Sequence, residues 1–300
     1  MNEMNERAAA ELTKLLDKSP ILFVGAGLTI PPYWIWSRLI HEIAVLMGLP
    51  SPTETDPLLA SQSLYNTNPT AFDQAVIQLF QPRPSECRDA LLHIVNIGFK
   101  SILTTNFDRT IEEAFAYTNQ EPPQILAYPR LLPTLCEAGT VHYIHGRVPD
   151  EKESGTGIIL HRESYQKSYH DEPRNIPTYL FQVLLSNNVI FTGYSLSPHE
   201  PLNHIFTAIK KFSNEPSNQK LASRFPPKTR TILLPFEANN QESKQRLEGL
   251  GIDIIEYDKL DENYTGLDLV WRDVFMKSKR SSKTKSALAY DPFSNMPNLP

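Results

Sequence analysis

The sequence is poor in cysteine: Cys87 and Cys136 are the two in 300 residues. They stand far apart and no Cys-x-x-Cys pair exists, which argues against a structural zinc module. Two distant thiols also build no disulfide framework, which fits a reducing cytoplasm. Positive charge is not in excess: 29 Lys and Arg against 34 Asp and Glu give a net charge of −5. A chain of this balance has no global attraction to nucleic acid, so direct nucleic-acid binding is disfavoured. No apolar run approaches the roughly 20 residues needed to cross a bilayer. Met1 to Lys18 is mixed polar and charged and lacks the apolar stretch of a secretory leader. The expectation is a soluble, cytoplasmic protein without membrane association. Glycine is scarce as well, 12 in all, so the positions it occupies carry information.

What is present is an ordinary globular mixture, 40% hydrophobic and 21% charged, enough for a sizeable core. Short apolar runs that stop at glycines or polar turns recur along the chain: 21–24, 101–105, 141–144, 188–192, 231–235 and 252–257. Such runs predict buried parallel strands. Between them lie stretches with helical spacing: 5–17, 36–47, two or three short helices over 57–97, one from about Arg109, then Glu163–His170, Thr178–Leu185, 202–211 and about 241–250. Residues 149–157 are polar and glycine-bearing and read as a loop. Strands alternating with helices predict an α/β fold with a doubly wound, mostly parallel sheet. In such sheets a ligand binds outside the carboxyl ends of the strands. The segment from Lys277 to Pro300 is basic and then rich in Pro, Asn and Ser, and is expected to be a mobile or partner-docking tail after a domain spanning 1–276.

Four polar motifs each follow a predicted strand. Gly25-Ala26-Gly27-Leu28-Thr29 places two glycines where a backbone can approach a pyrophosphate, although Ile30 stands where a full G-x-G-x-x-G pattern has glycine. A tight strand-to-helix turn with no ligand explains the same residues. Thr104-Thr105-Asn106-Phe107-Asp108 offers an amide that both donates and accepts, suited to a ribose hydroxyl or a water. Asp108 equally fits a helix cap. Tyr143-Ile144-His145-Gly146 ends a central strand in an imidazole able to serve as a base near neutral pH. One histidine among eight is more often structural. Phe191-Thr192-Gly193-Tyr194-Ser195-Leu196 again stops a strand at glycine and adds the Ser195 hydroxyl. Four of the twelve glycines, Gly25, Gly27, Gly146 and Gly193, fall at these strand ends. The residues thus suggest a nucleotide pocket containing an Asn and a His.

In this order the motifs resemble those of the sirtuin superfamily, closest to its bacterial sirtuin-like branch. Gly25-Ala26-Gly27-Leu28-Thr29 resembles the Gly-Ala-Gly-x-Ser phosphate loop, with Thr29 keeping the hydroxyl. Thr105-Asn106-Phe107-Asp108 resembles the Gln-Asn-Ile-Asp motif, and Ile144-His145-Gly146 the catalytic His-Gly. Phe191 to Leu196 and Ile158 to Tyr165 resemble two further segments of that branch, and the likeness covers about residues 18–258. It implies a Rossmann-like sheet and a zinc-free helical lobe inserted at about residues 40–98. Asn106 and His145 would be catalytic, and Gly25, Ala26, Gly27, Thr29, Asp108, Gly193 and Ser195 would belong to the NAD site, Asp108 as support for the Asn106 loop. NAD would be the substrate and no metal would be needed. The stretch Ile30 to Ile35 departs from the Gly-Ile-Pro-Asp-Phe-Arg run of deacylases.

The resemblance further implies an NAD glycohydrolase that yields ADP-ribose and nicotinamide, of the kind used in anti-phage defence to deplete NAD. The alternatives are an NAD-dependent protein deacylase and a non-catalytic subunit that binds NAD or ADP-ribose. A toxic activity needs a trigger. The expected partners are copies of the chain itself in a homo-oligomer, or a separate sensor such as a short Argonaute or a HerA-type ATPase.

Overall fold

A computed structural model describes residues 2–29, 36–81, 87–137, 139–149, 157–171, 176–194, 196, 201–215, 218, 228–237 and 240–289. Seven strands form one sheet: β1 Ile21–Val24, β2 Ile102–Thr104, β3 Gln124–Ala127, β4 Thr140–Tyr143, β5 Val189–Thr192, β6 Arg230–Pro235 and β7 Asp253–Tyr257. Their order is β3-β4-β2-β1-β5-β6-β7, and every pairing is parallel. The four central strands β4, β2, β1 and β5 are buried along their whole length. This is why they read as continuous apolar runs rather than as an alternating pattern.

Helices cover both faces. Side chains alternate along each strand, so Leu22 and Val24 point to one layer and Ile21 and Phe23 to the other. The first layer holds α1 (Glu3–Leu16), α5 (Asp89–Ile97), α6 (Thr110–Tyr117) and α11 (Thr265–Ala289). The second holds α8 (Ile176–Ser186), α9 (Leu202–Asn214) and α10 (Gln241–Gly249). Helices α2 (Trp36–Leu46), α3 (Pro57–Thr67) and α4 (Pro69–Leu79) enclose a separate small core. Asn68 serves both of the last two: it ends α3, and its side chain caps α4 by accepting from the Ala71 amide at 3.0 Å. The lobe expected over 40–98 therefore divides. Residues 36–80 form it, while α5 packs against the sheet with α1 and α11.

Two elements lie outside the sequence expectations. Strand β3 is a half-exposed edge strand, and its residues Gln124 to Ala127 carry too little apolar signal to stand out. Helix α11 runs for 25 residues, so the expected tail boundary at Lys277 falls inside it. Its Leu267, Val270, Trp271 and Val274 recur at helical spacing and are buried against the sheet. The Trp271 Nε1–H donates to Thr192 Oγ1 at 3.1 Å, tying α11 to the carboxyl end of β5. Arg88, just before α5, supplies the second tie. It is 7% exposed, and its guanidinium donates to the Gly27 carbonyl at 3.0 Å, to the Asp268 carboxylate at 2.8 Å, and to the carbonyls of Asn263 and Tyr264.

Removing this fork takes the guanidinium donor from a carboxylate and three carbonyls. Arg88→Ala is expected to lower the free energy of urea unfolding by about 3 kcal/mol. Arg88→Lys is expected to recover less than half of the loss, because a single ammonium cannot reproduce the planar fork.

Candidate functional site

Register sets four strand ends level. Val24 pairs with Thr104 on one side and with Thr192 on the other, and Thr104 pairs with Tyr143. The segments that follow these residues emerge side by side. Chain order reverses about β1: the chain runs outward through β2 to the edge strand β3, steps back to β4, and then returns to place β5 on β1's other edge. A reversal of this kind opens a crevice at the carboxyl ends of the two strands.

At that crevice the turn after β1 and the turn after β5 touch backbone to backbone. The Gly27 amide donates to the Gly193 carbonyl at 2.8 Å, and the Gly25 amide to Thr192 at 3.0 Å. A Cβ on Gly25 would lie 2.4 Å from the Gly193 oxygen. Gly193 has φ +63°, and a Cβ there would lie 2.6 Å from the Leu28 nitrogen. These glycines are required by the protein's own packing. The outer side of the first turn remains open, with Ala26 exposed and Gly27 partly so. Ser195 lies outside the described residues, as do Ile30 to Ile35. Beyond the turn, Arg246 of α10 donates to Asn203 Oδ1 at 2.8 Å and to the Leu196 carbonyl, securing the chain on either side.

The Asn106 segment is held at several atoms. Thr104 Oγ1 donates to the Val24 carbonyl at 2.9 Å and accepts the Asn106 amide at 3.0 Å. The Asn106 side-chain amide reaches Thr29 Oγ1 at 3.4 Å, and that hydroxyl donates to Ala26 at 3.1 Å. Thr29 and Asn106 are both buried. Asp108 is turned inward, 2% exposed, and accepts the Thr110 amide at 3.0 Å. Burial pushes its carboxyl up, while hydrogen bonding from Thr110 opposes the shift. Thr29 thus links the first motif to Asn106 of the second.

His145 leaves β4 beside this segment. The Ile144 amide donates to Thr104 at 2.8 Å, and the Val148 amide to Phe107 at 2.9 Å, so the two loops are joined on either side of the imidazole. The Phe107 ring lies 6.4 Å from the His145 ring. Nε2 of His145 lies 2.8 Å from the Tyr169 hydroxyl. The residue retains some accessible surface, but its ring is densely surrounded, and burial pulls its pKa down to about 4. It is a neutral imidazole at pH 7. Gly146 follows at φ +77°, where a Cβ would lie 2.1 Å from the Gly157 oxygen. The backbone at Gly157 and Ile158 crosses it there.

Sequence reasoning singled out neither Tyr169 nor the pairing around Glu112. Arg109 donates to Glu112 at 3.4 Å, and Arg147 lies 3.7 Å from the same carboxylate. Arg147 follows the His-Gly pair directly, and that position was the available signal. A cavity of about 100 Å³ lies elsewhere, between α3, α4 and residues 157–161, and is lined by Tyr65, Phe72, Leu160 and His161 but by none of the catalytic candidates. Among the described residues no group of three His, Cys, Asp or Glu side chains could hold a metal, and both cysteines are free. No described helix is long and apolar enough to cross a membrane.

Two outcomes follow from this geometry. Gly193→Ala is expected to cost about 1–3 kcal/mol of stability in thermal or urea unfolding, since both φ and space are wrong for a side chain. The second concerns pH. His142 on β4 is fully buried, with the Tyr179 hydroxyl 2.6 Å from Nδ1, and burial lowers its pKa from 6.5 to about 4. Between those values the unfolded chain takes up a proton that the folded chain refuses. Stability therefore falls as pH drops through 6.5 toward 4, by up to roughly 1.4 kcal/mol per pH unit for each such histidine. In urea unfolding, the stability gap between wild type and His142→Asn is expected to narrow by at least 1 kcal/mol from pH 7 to pH 5. An unchanged gap would show that this imidazole titrates normally.

The model of the SIR2-like domain family matches residues 100–255, more than half of the chain and the part that carries Asn106, His145 and Gly193. The NAD(+) hydrolase ThsA of Enterococcus faecium is 25% identical over 181 residues, 59% of this chain and 37% of that protein. The match thus spans well under half the length of this relative. Among solved structures, a Sir2 enzyme superposes with a TM-score of 0.46 at 15% identity, covering 94% of this chain and 100% of the other. A Sir2 homologue mutant in complex with ADP ribose gives 0.40 at 13% identity, covering 95% and 98%. With a parallel sheet whose central strand ends bring Gly25, Asn106, His145 and Gly193 level, and with the family model matching over more than half of its length, the chain belongs to the SIR2-like domain family.

Proposed function

We propose that this chain hydrolyses NAD at the nicotinamide–ribose bond, releasing ADP-ribose and nicotinamide. The observation that carries the reading is the placement of Asn106 and His145 on linked loops at the level ends of adjacent strands, beside the β1–β5 crevice. The relative named NAD(+) hydrolase supports the same reading.

The chemistry asks little of the protein. Nicotinamide in NAD is a cationic leaving group on a sugar that readily forms an oxocarbenium ion. The glycosidic electron pair leaves with nicotinamide, a water oxygen bonds to the anomeric carbon, and one water proton is released. In the proposed roles, Gly25, Ala26, Gly27 and Thr29 contact NAD at the pyrophosphate side, and Gly193 and Ser195 are further contacts. Asp108 braces the Asn106 loop from inside. Asn106 orients the ribose and the attacking water through an amide that donates and accepts. His145 accepts the water proton or contacts the ribose. Its neutral state at pH 7 leaves a lone pair available. No step calls for a metal.

The biological role proposed with this activity is anti-phage defence by depletion of the cytoplasmic NAD pool. Silence before infection would come from a homo-oligomer or a separate sensor protein, with the end of α11 and the residues after it as the docking segment.

Purified protein mixed with NAD is expected to release nicotinamide without any acylated peptide, once the partner or assembly state that activates it is present. Release that requires an acyl-lysine peptide would instead identify a deacylase, and binding without turnover under every condition a sensor subunit. Asn106→Ala and His145→Ala are each expected to lower turnover by about 10²–10⁴-fold while circular dichroism and unfolding stay cooperative. Undiminished cleavage by both variants would remove the catalytic assignment.

A further inference from the structure

Tyr169 stands in a π-helical turn, Lys167–Asp171, that directly continues the short helix α7 (Arg162–Gln166). Such turns are rare and gather at functional sites, because the extra residue re-aims the side chains around it. Here the turn buries Tyr169 and directs its hydroxyl to Nε2 of His145 at 2.8 Å. Tyr165 stacks flat on the Tyr169 ring, with 4.2 Å between centroids and 9° between planes. Both tyrosines lie edge-on to the imidazole, at 6.3 and 5.9 Å, and Phe107 lies near-parallel to it on the loop from β2. Three aromatic rings thus surround the imidazole, and one of them holds a ring nitrogen.

A neutral imidazole carries one N–H and one lone pair, and the partner of one nitrogen decides what the other can do. With Nε2 engaged, Nδ1 is the nitrogen left; it has no partner among the described residues. A phenol oxygen can accept as well as donate, so it is able to receive an Nε2–H. That direction alone leaves a lone pair on the nitrogen facing away from the tyrosine, as a proton acceptor requires.

We propose that Tyr169 is a positioning residue for His145: its phenol oxygen accepts from Nε2–H, fixes the ring, and presents the Nδ1 lone pair to the water at the site. This rests on the hydrolase reading for its purpose but not for its geometry. Tyr165 supports the arrangement by stacking on the Tyr169 ring, and burial keeps the imidazole neutral across the working range.

The test uses Tyr169→Phe, which keeps the ring and its stack on Tyr165 and deletes the hydroxyl. Nitrogen-15 NMR of histidine-labelled protein at pH 7, with His145 assigned by its absence from His145→Ala, reads the tautomer directly. Wild type is expected to show mainly Nε2–H, and Tyr169→Phe a mixture. In the active assembly, kcat for NAD is expected to fall tenfold or more, short of the ~10²–10⁴-fold loss on removing the imidazole itself, with KM within about threefold. A wild-type imidazole protonated at Nδ1, or equal tautomer populations in the two proteins, would overturn the proposal even if turnover fell. A tautomer shift without NAD turnover in any assembly would uphold Tyr169 and count against the hydrolase reading alone.

Discussion

Everything at the carboxyl edge of the sheet depends on one contact, where the turns after β1 and β5 meet with no side chain between them. Gly27 donates to Gly193 across the gap, and three glycines make the approach sterically possible. Helix α11 fixes both sides of this contact from behind. Its Trp271 bonds Thr192 at the end of β5, and its Asp268 holds the Arg88 guanidinium that grips the Gly27 carbonyl. A helix far along the chain therefore sets the width of a crevice formed by residues near the start. From that fixed edge the bonds pass inward through Thr29 to Asn106, and through the paired loops to His145.

Much of the sheet was legible because buried parallel strands are apolar without interruption. Ile21 to Val24 and Val189 to Thr192 leave few other readings, and the glycine after each marks the turn. Edge strand β3 was not legible, since Gln124 to Ala127 is half-exposed and held mainly by its ladder with β4. The core half of α11 carries a clean apolar spacing that was overshadowed by the basic, proline-bearing composition after it. At the site, strand-end position was enough to single out Asn106 and His145. It could not show that Gly25, Gly27 and Gly193 serve one another, because that requirement arises between segments far apart in the chain. Nor could it show Tyr169, whose aim depends on a local change of helix pitch that leaves no distinct mark in the sequence.

The charges near the site are committed to structure. Arg109 and Arg147 both address Glu112, Arg88 is consumed by α11 and the first turn, and Asp108 is folded under. The two candidate catalytic side chains are left as neutral groups in an enclosed, largely aromatic setting. The proposed reaction of a cationic substrate at such a place would rely on orientation and on dipoles rather than on a fixed counter-charge.

The small core of α2, α3 and α4 is completed by three side chains that belong to the site loops: Phe107, Val148 and Leu160. Phe107 is the residue next to Asn106 and packs edge-on against Phe80 at 5.7 Å. Tilting those three helices away from the sheet would therefore drag the loop bearing the amide, as a door pulls its own latch. In the proposed hydrolase, the position of these helices and the alignment of Asn106 would therefore be mechanically one coordinate.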